Sequence, residues 1–193
     1  MRIIAGTLKG RRLEPPSAPG VRPTSDKLRE TLFNVLRDAV ADARVLDGFA
    51  GTGAVGLEAL SRGAAHVTFV DRDPRALAVV SRNIAACGLA AAAATARGTF
   101  IDFCVAAGAG PSRFDLIFLD PPYDAPDLDA IVAAAAGVAG GDAVIVLEHS
   151  RRRVPPPSGL GVEQRRRLSS GDSALALDAA APAGAAAGES AEP

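Results

Sequence analysis

Four consecutive residues, Asp120-Pro121-Pro122-Tyr123, join a carboxylate to the chain's only tyrosine across two prolines. The prolines fix the backbone and lack N–H groups, so the Asp120 carboxylate and the Pro121 carbonyl can both accept hydrogen bonds from one amino group. The nitrogen of a base amine is a poor nucleophile because its lone pair is delocalised into the ring. Two acceptors that orient such an amine suit its methylation, in which positioning is the main catalytic term.

Tyr123 adds a flat ring that can stack on an extruded base, a contact worth roughly 1–3 kcal/mol. The alternative interpretation is a rigid Pro-Pro turn with Tyr123 as a core aromatic. Residues 116–119 before the motif are all apolar and predict a buried strand. If that strand is parallel to its neighbours, the motif lies at the carboxyl edge of the sheet, where ligands bind in open α/β folds.

A glycine-rich loop follows the first predicted strand, and its Gly51, Gly53 and Gly56 satisfy the pattern GxGxxG. The pattern alone is weak, because nicotinamide enzymes use it as well. Asp47 favours S-adenosylmethionine, because a carboxylate just before the loop would repel a pyrophosphate and would suit the cofactor's amino group. The alternative role for Asp47 is that of a turn-capping aspartate. Phe49, inside the loop, belongs to the same predicted cofactor site.

Two further strand ends complete the predicted cofactor site. Asp71 ends the second strand, where an acid can bind both ribose hydroxyls of an adenosine cofactor in a dehydrogenase or a methyltransferase. The third strand should approach the adenine ring, and the candidates there are Gly98, Thr99 and Phe100. Thr99 stands where many methyltransferases have an acid, with Asp102 a turn later.

Strands and helices alternate along the middle of the chain, which predicts an α/β fold with a mostly parallel sheet and helices on both faces. Asp73 and Pro74 are typical of a helix N-cap and first position. The first helix has an apolar stripe, and Lys27 and Arg29 lie off it. The predicted strands cover residues 45–49, 66–70, 93–97, 114–119 and 143–148, and the predicted helices cover 25–41, 54–62, a segment after Asp73, and 127–136.

The two ends of the chain differ from this pattern. Residues 161–168 and 173–178 predict two consecutive strands, hence an antiparallel pair at one sheet edge. Residues 2–15 predict a small β-hairpin, followed by a proline-rich extended connector. We therefore predict a hairpin and connector over 1–23, a catalytic domain over 24–178, and a disordered tail over 179–193.

Charge is concentrated near the start of the chain, although the whole chain has a net charge of only −1. Residues 1–37 hold eight Lys or Arg and three acids, and such a basic segment can bind phosphate. The alternative to phosphate binding is that these charges only form a solvated surface. The candidate RNA-binding residues are Lys9, Arg11, Arg12, Arg22, Thr24, Lys27 and Arg29.

Several classes of protein are disfavoured. Cys87 and Cys104 form no metal-binding spacing, so we expect no metal. No segment approaches the roughly 18 apolar residues of a membrane span, and the N-terminus lacks a signal peptide. We expect a cytoplasmic protein and, by default, a monomer.

The chain resembles the RsmD-type methyltransferases, bacterial class I enzymes, over residues 1–178. Besides Asp120–Tyr123, the resemblance rests on the opening RIIAGTLKGRRL, on RPTSDKLRETLF from Arg22, and on DGFAGTGAVGLEALSRG from Asp47. It implies a Rossmann-like seven-stranded sheet with its last strand antiparallel, and a hairpin and Arg22–Arg29 region that face RNA. It also implies methylation of N2 of a guanine in 16S rRNA, on the assembled or assembling small subunit, with S-adenosylhomocysteine as the second product.

Three other functions remain possible at this point. The Asp120 motif suits any exocyclic amine, so adenine N6 or cytosine N4 in DNA or RNA is the nearest alternative. A nicotinamide-dependent dehydrogenase would leave Asp47 and the Asp120 motif without a role. A non-catalytic RNA-binding module would have no use for the cofactor acids.

Overall fold

The computed structural model describes residues 1–16, 26–108, 113–150, 161–170 and 173–180. The strands are β1 Arg44–Gly48, β2 His66–Asp71, β3 Ala93–Arg97, β4 Phe114–Leu119, β5 Ala139–Ser150, β6 Val162–Ser170 and β7 Ser173–Ala180. The helices are α1 Asp26–Leu36, α2 Ala54–Ser61, α3 Pro74–Cys87, α4 Phe100–Gly108 and α5 Leu128–Val138.

All seven strands belong to one sheet, in the order β3-β2-β1-β4-β5-β7-β6. The pairs from β3 to β5 are parallel, and β7 is antiparallel to both β5 and β6. These pairings confirm the predicted mostly parallel sheet, its antiparallel final pair and its antiparallel last strand. The carboxyl ends of β2, β1 and β4 therefore meet at one edge, which is where the predicted site residues lie.

Buried side chains cover both faces of the sheet. Val45 and Leu116 pack with residues of α1, α2 and α3, whereas Leu46 and Ile117 pack with residues of α4 and α5. The assignment follows from the strand period, because successive side chains point to opposite faces. Helices on both faces are thus confirmed. No helix within the described ranges is long and apolar enough to cross a membrane.

Helix α4 was not predicted from the sequence. Its residues include Phe, Ile, Cys and Val, which are weak helix formers and suit a strand as well. Thr99 caps the helix, because its hydroxyl accepts the backbone N–H of Asp102 at 3.1 Å. Phe100 and Cys104 are buried against the sheet, so tertiary packing stabilises a helix that local preference does not favour.

The predicted N-terminal hairpin is present as a short antiparallel pairing with a bridge between Arg2 and Arg12. Three backbone hydrogen bonds join its two arms: the N–H of Ile3 donates to the Arg11 carbonyl at 3.0 Å, that of Gly10 to the Ile3 carbonyl at 2.9 Å, and that of Leu13 to the Met1 carbonyl at 3.2 Å. The segment also forms hydrogen bonds with α2 and α3. Most of the connector, with the predicted RNA-binding residues Arg22 and Thr24, lies outside the described residues, as does the tail from residue 181.

Candidate active site

Three acids of the predicted site come to the carboxyl edge of three neighbouring strands. Asp47 is paired in register with Phe69 of β2 and Phe118 of β4. Asp71 lies two residues beyond Phe69, and Asp120 lies two residues beyond Phe118. The sheet therefore brings together acids that are far apart in the sequence, with 73 positions between Asp47 and Asp120.

Asp47 lies near the end of β1 and faces the first turn of α2. It is buried, with 4% of its surface exposed. Its Oδ2 atom accepts the backbone N–H of Gly56 at 2.9 Å. Burial raises the pKa of Asp47 to about 7, and the nearby Asp71 carboxylate adds to the rise, while the Gly56 hydrogen bond opposes it. Asp47 is thus a helix-capping carboxylate, and a cation placed beside it would stabilise its ionised form.

Gly51 is the residue of the glycine loop whose backbone faces open space, whereas Gly53 and Gly56 pack against Phe69. Phe49, Gly51 and Gly53 all have positive φ, at 64°, 56° and 76°. A Cβ atom added at Gly51 would meet no atom nearer than the Phe49 carbonyl oxygen, 3.9 Å away, so a ligand can approach the backbone closely there. The Phe49 ring stacks on Phe100 with centroids 5.7 Å apart.

The Asp71 carboxylate is held at the mouth of the same loop. Its Oδ2 accepts the Gly51 N–H at 2.9 Å, and its Oδ1 accepts the Asp73 N–H at 2.9 Å. Each carboxylate oxygen has a second lone pair, so Asp71 retains the capacity to accept from two ribose hydroxyls. The two backbone bonds fix the orientation of the carboxylate.

The predicted adenine-side residues form a cap and part of the core. The Thr99 hydroxyl donates to Asp102 Oδ2 at 2.7 Å in addition to accepting the Asp102 N–H. That hydroxyl therefore caps α4, and a contact of Thr99 with adenine stays a prediction. Phe100 is 3% exposed, and its ring packs over Gly48 at the end of β1 and on the ring of Phe49.

The Asp120 motif forms a rigid loop with one aromatic ring on its outer side. Pro121 is buried, and the Pro122 carbonyl accepts the Ala125 N–H at 2.9 Å. Tyr123 is 47% exposed, and its hydroxyl lies 2.8 Å from Ser173 Oγ. The alternative interpretation of Tyr123 as a core aromatic is therefore wrong.

Asp120 retains solvent-exposed surface at the carboxyl edge of the sheet, although protein atoms crowd its carboxyl group. This crowding removes water from the carboxylate, and the Glu148 and Asp47 carboxylates repel its charge. Together these effects raise the pKa of Asp120 to about 8. The Asp120 carboxylate thus lies close enough to the Asp47 and Glu148 carboxylates for their charges to act on it at this edge of the sheet.

The candidate RNA-binding residues divide into exposed and buried ones. Lys9, Arg11, Arg12 and Lys27 are all exposed. Arg29 is wrong as an RNA contact, because it is fully buried and its Nη2 donates to the Arg2 carbonyl at 2.7 Å. The buried Arg29 side chain therefore fixes the N-terminal segment by its hydrogen bond to the Arg2 carbonyl.

Arg29 forms its closest ion pair with Asp26, at 3.0 Å, and a second, buried acid near it was not predicted from the sequence. Glu58 of α2 is fully buried, and its Oε2 lies 3.9 Å from Arg29 Nε. Glu58 also accepts the backbone N–H groups of Ile4 and Ala5, at 2.7 and 3.0 Å. The signal was an acid in the middle of an otherwise apolar helix, a position that requires a buried partner.

Within the described part of the chain, no group of three or more His, Cys, Asp or Glu side chains could hold a metal ion.

A mostly parallel seven-stranded sheet, an antiparallel last pair and a glycine loop after β1 define the Rossmann-like fold of class I methyltransferases. A family model described as conserved hypothetical protein 95 matches residues 1–178. The chain belongs to this family, the RsmD family.

Individual relatives agree with this assignment. Ribosomal RNA small subunit methyltransferase D of Escherichia coli K12 is 42% identical over 123 residues, which is 64% of this chain and 60% of that protein. YlbH of Bacillus subtilis, described as a candidate rRNA methyltransferase, is 41% identical over 68% of this chain and 72% of its own length. The chain thus aligns with less than two thirds of the E. coli relative.

Solved structures extend the similarity over nearly the whole chain. The E. coli protein yhhF, described as a candidate methyltransferase, superposes with a TM-score of 0.83 at 32% identity, covering 94% of this chain and 98% of its own. A hypothetical protein from Thermus thermophilus superposes with a TM-score of 0.78, also at 32% identity, covering 92% and 98%.

Proposed function

We propose that the protein transfers a methyl group from S-adenosylmethionine to the N2 amine of a guanine in 16S rRNA of the small ribosomal subunit. The observation that carries this proposal is the position of Asp120. It lies at the carboxyl edge of the sheet, beside the acid-lined glycine loop, with the exposed ring of Tyr123 three residues away. The names of the relatives support rRNA as the substrate class, and guanine N2 follows from the family resemblance.

The residues of the glycine loop fit the cofactor. The Asp47 carboxylate, buried and with a raised pKa, would hold the ammonium group of the methionine moiety. Asp71, oriented by two backbone N–H groups, would accept from the ribose hydroxyls. When bound, S-adenosylmethionine supplies an electrophilic methyl group on a positively charged sulfur.

Asp120 would orient the base amine and hold its proton. Its carboxylate and the Pro121 carbonyl would each accept one N–H of the amine, which directs the nitrogen lone pair out of the ring plane. The methylated nitrogen carries one proton too many, and the Asp120 carboxylate can accept it. With its pKa raised to about 8, the ionised Asp120 carboxylate is a stronger base than an ordinary aspartate, and the ionised fraction increases as the pH rises towards 8.

The RNA would be held by phosphate contacts and by stacking. Lys9, Arg11, Arg12 and Lys27 are exposed cations that can neutralise phosphates. The Tyr123 ring can stack on the extruded base, because its hydroxyl is fixed by Ser173 while its face remains accessible.

The Asp120→Ala and Asp120→Asn variants test this function. We expect methyl transfer to small subunits to fall by at least about 100-fold, because positioning and the proton acceptor are both lost. Titration calorimetry should show cofactor affinity within about threefold of the wild type, as expected for a residue outside the cofactor loop. The matched control is Asp124→Asn, an exposed acid of the same loop that should keep wild-type activity. Wild-type transfer by Asp120→Ala would refute the proposal.

A further inference from the structure

Asn83 of α3 is a buried residue, 2% exposed, whose amide contacts two distant parts of the chain. Its Oδ1 atom accepts the backbone N–H of Glu14 at 2.8 Å. Its Nδ2 atom donates to the backbone carbonyls of Glu14 and Thr52, at 3.4 and 3.0 Å. Only this orientation of the amide fits, because an N–H can only donate and a carbonyl can only accept. One side chain thus joins the N-terminal segment to the glycine loop.

The bond to Thr52 acts on the part of the loop that is proposed to bind the cofactor. Gly51 and Gly53, on either side of Thr52, both have positive φ, so the chain turns sharply there. The N–H of Gly51 donates to Asp71, and the carbonyl of Thr52 accepts from Asn83. The two hydrogen bonds therefore fix the turn at both of its ends.

Helix α3 lies directly against this turn. Thr52 is only 6% exposed, so its carbonyl has little access to water and requires a donor from the protein. Val80 lies one turn before Asn83 on the same face of the helix, and a Cβ atom added at Gly53 would meet its side chain at 3.3 Å. Without the Asn83 donor, the buried carbonyl would be left unpaired unless the turn changed its conformation.

The same amide fixes the end of the N-terminal segment, because Glu14 comes two residues after the exposed Arg12. The two bonds to the Glu14 backbone hold the amide plane, which aims its remaining N–H at Thr52. Glu14 also forms a bidentate ion pair with Arg82, at 2.8 Å for each bond. That ion pair is exposed and therefore screened by water, so the buried amide is the stronger of the two links to α3.

We propose that Asn83 is a positioning residue that holds the glycine loop in the conformation that binds S-adenosylmethionine, and that its attachment to the N-terminal segment is needed for this. The inference rests on the proposed function. It adds a second role for the segment that is proposed to bind RNA, because the attachment of that segment sets the affinity for the cofactor even without RNA. Asn83 acts through the Thr52 carbonyl and not on the reacting atoms.

The Asn83→Asp variant tests the contact with the loop. Aspartate keeps the shape of the side chain and an acceptor for the Glu14 N–H, but its second oxygen repels the Thr52 carbonyl. Calorimetry without RNA should give a Kd for S-adenosylmethionine at least about tenfold higher than that of the wild type, at a temperature at which circular dichroism shows both proteins to be folded. The matched control is Asn34→Asp, an exposed asparagine of α1, which should bind within about twofold of the wild type. Wild-type affinity in folded Asn83→Asp would overturn the proposal.

Steady-state methylation of small subunits separates positioning of the loop from a general loss of structure. In Asn83→Asp the KM for S-adenosylmethionine should rise about tenfold, while kcat at saturating cofactor stays within about threefold of the wild type. A destabilised protein would instead lose kcat with its folded fraction and keep its KM. That second result would overturn the role of Asn83 in positioning.

Two variants of Glu14 test the contribution of the N-terminal segment. Glu14→Pro and Glu14→Gln both lose the carboxylate that pairs with Arg82, but only proline also loses the backbone N–H that Asn83 accepts. We expect the proline variant to bind S-adenosylmethionine at least about threefold more weakly than the glutamine variant, 38 positions away from Thr52 in the sequence (52 − 14). Equal affinities in the two folded variants would overturn the role of the segment.

Failure of the proposed function gives a different result. A wild-type protein that binds S-adenosylmethionine but methylates no rRNA would overturn the proposed function, and weaker binding by Asn83→Asp would still support the role of Asn83. A wild-type protein that does not bind S-adenosylmethionine would overturn both.

Discussion

The Glu58 carboxylate accepts the backbone N–H of Ile4 at 2.7 Å and so joins the N-terminal segment to α2, the helix that follows the glycine loop. Its second oxygen accepts from Ala5 and from Arg62 Nε, at 3.0 and 2.8 Å. The basic N-terminal segment is therefore connected to the helix that follows the cofactor loop, and the buried Glu58 makes the connection.

Replacing this acid should destabilise the protein. We expect Glu58→Gln to lower the free energy of unfolding by about 3 kcal/mol, because Glu58 is fully buried and its charge is paired with Arg62 at 2.8 Å and lies 3.9 Å from the buried Arg29, whose other acid, Asp26, remains. Urea denaturation measures the change. Glu30→Gln, an exposed acid of α1, should differ from the wild type by less than about 0.5 kcal/mol. If the two variants have the same free energy of unfolding, the charge of Glu58 does not stabilise the connection between the N-terminal segment and α2.

The ionised Asp47 carboxylate should strengthen cofactor binding but should lower the stability of the protein without cofactor. Its pKa rises from 3.8 to about 7 on folding, so its stabilising contribution is complete below pH 4 and is lost as the pH rises to 7. At pH 8, Asp47→Asn should therefore raise Tm by roughly 5 °C, since asparagine keeps the acceptor for Gly56.

The same Asp47→Asn variant should bind S-adenosylmethionine at least about tenfold more weakly, because the charge opposite the ammonium is lost. Calorimetry of the cofactor and thermal melts of the free protein check the two expectations together. A variant that gains stability and also binds the cofactor normally would show that the ammonium is held elsewhere.

The rate of methyl transfer should depend on the ionisation of Asp120. Only the carboxylate accepts the amine protons, and its pKa is raised to about 8, so kcat/KM should fall as the pH drops from 8.5 to 6. Removal of the Glu148 charge lowers the repulsion, and Glu148→Gln should therefore shift the acid limb to lower pH. A rate that stays constant over this range would contradict the role of Asp120 as an acceptor.

Exposed cations of the N-terminal segment should contribute to RNA binding by neutralising phosphates. The double variant Lys9→Gln/Arg11→Gln should weaken RNA binding and reduce the slope of log affinity against log salt by up to about 0.9 for each phosphate that is no longer neutralised. The control removes two exposed arginines at the amino end of the sheet, Arg44→Gln/Arg113→Gln. Identical slopes in the two double variants would mean that the segment does not bind phosphate.

Local patterns predicted most of the fold. The apolar run of β4 and the Asp73-Pro74 helix start are strong signals, and Asp73 does accept the Arg75 N–H at 2.9 Å. Helix α4 could not be predicted in this way, because its aromatic and branched residues are stabilised as a helix only by packing on the sheet.

The site residues show the same limit. Asp47, Asp71 and Asp120 could be placed from strand ends alone, because parallel strands end at one edge of the sheet. The burial of Arg29 could not be predicted, because an i,i+3 pair with Asp26 is equally typical of an exposed helix face, and the buried acid Glu58 near it lies in another helix. That Asp120 and Glu148 are neighbours follows from the register of β4 and β5, which could not be predicted from the sequence.

The central claim is the methylation of a guanine amine in small-subunit rRNA. The purified protein would be incubated with radiolabelled S-adenosylmethionine and with small subunits from a strain that lacks the enzyme, and the rRNA would then be digested to nucleosides. We predict label in N2-methylguanosine. Label in methylated adenosine or cytidine, or no label in rRNA despite tight cofactor binding, would contradict it.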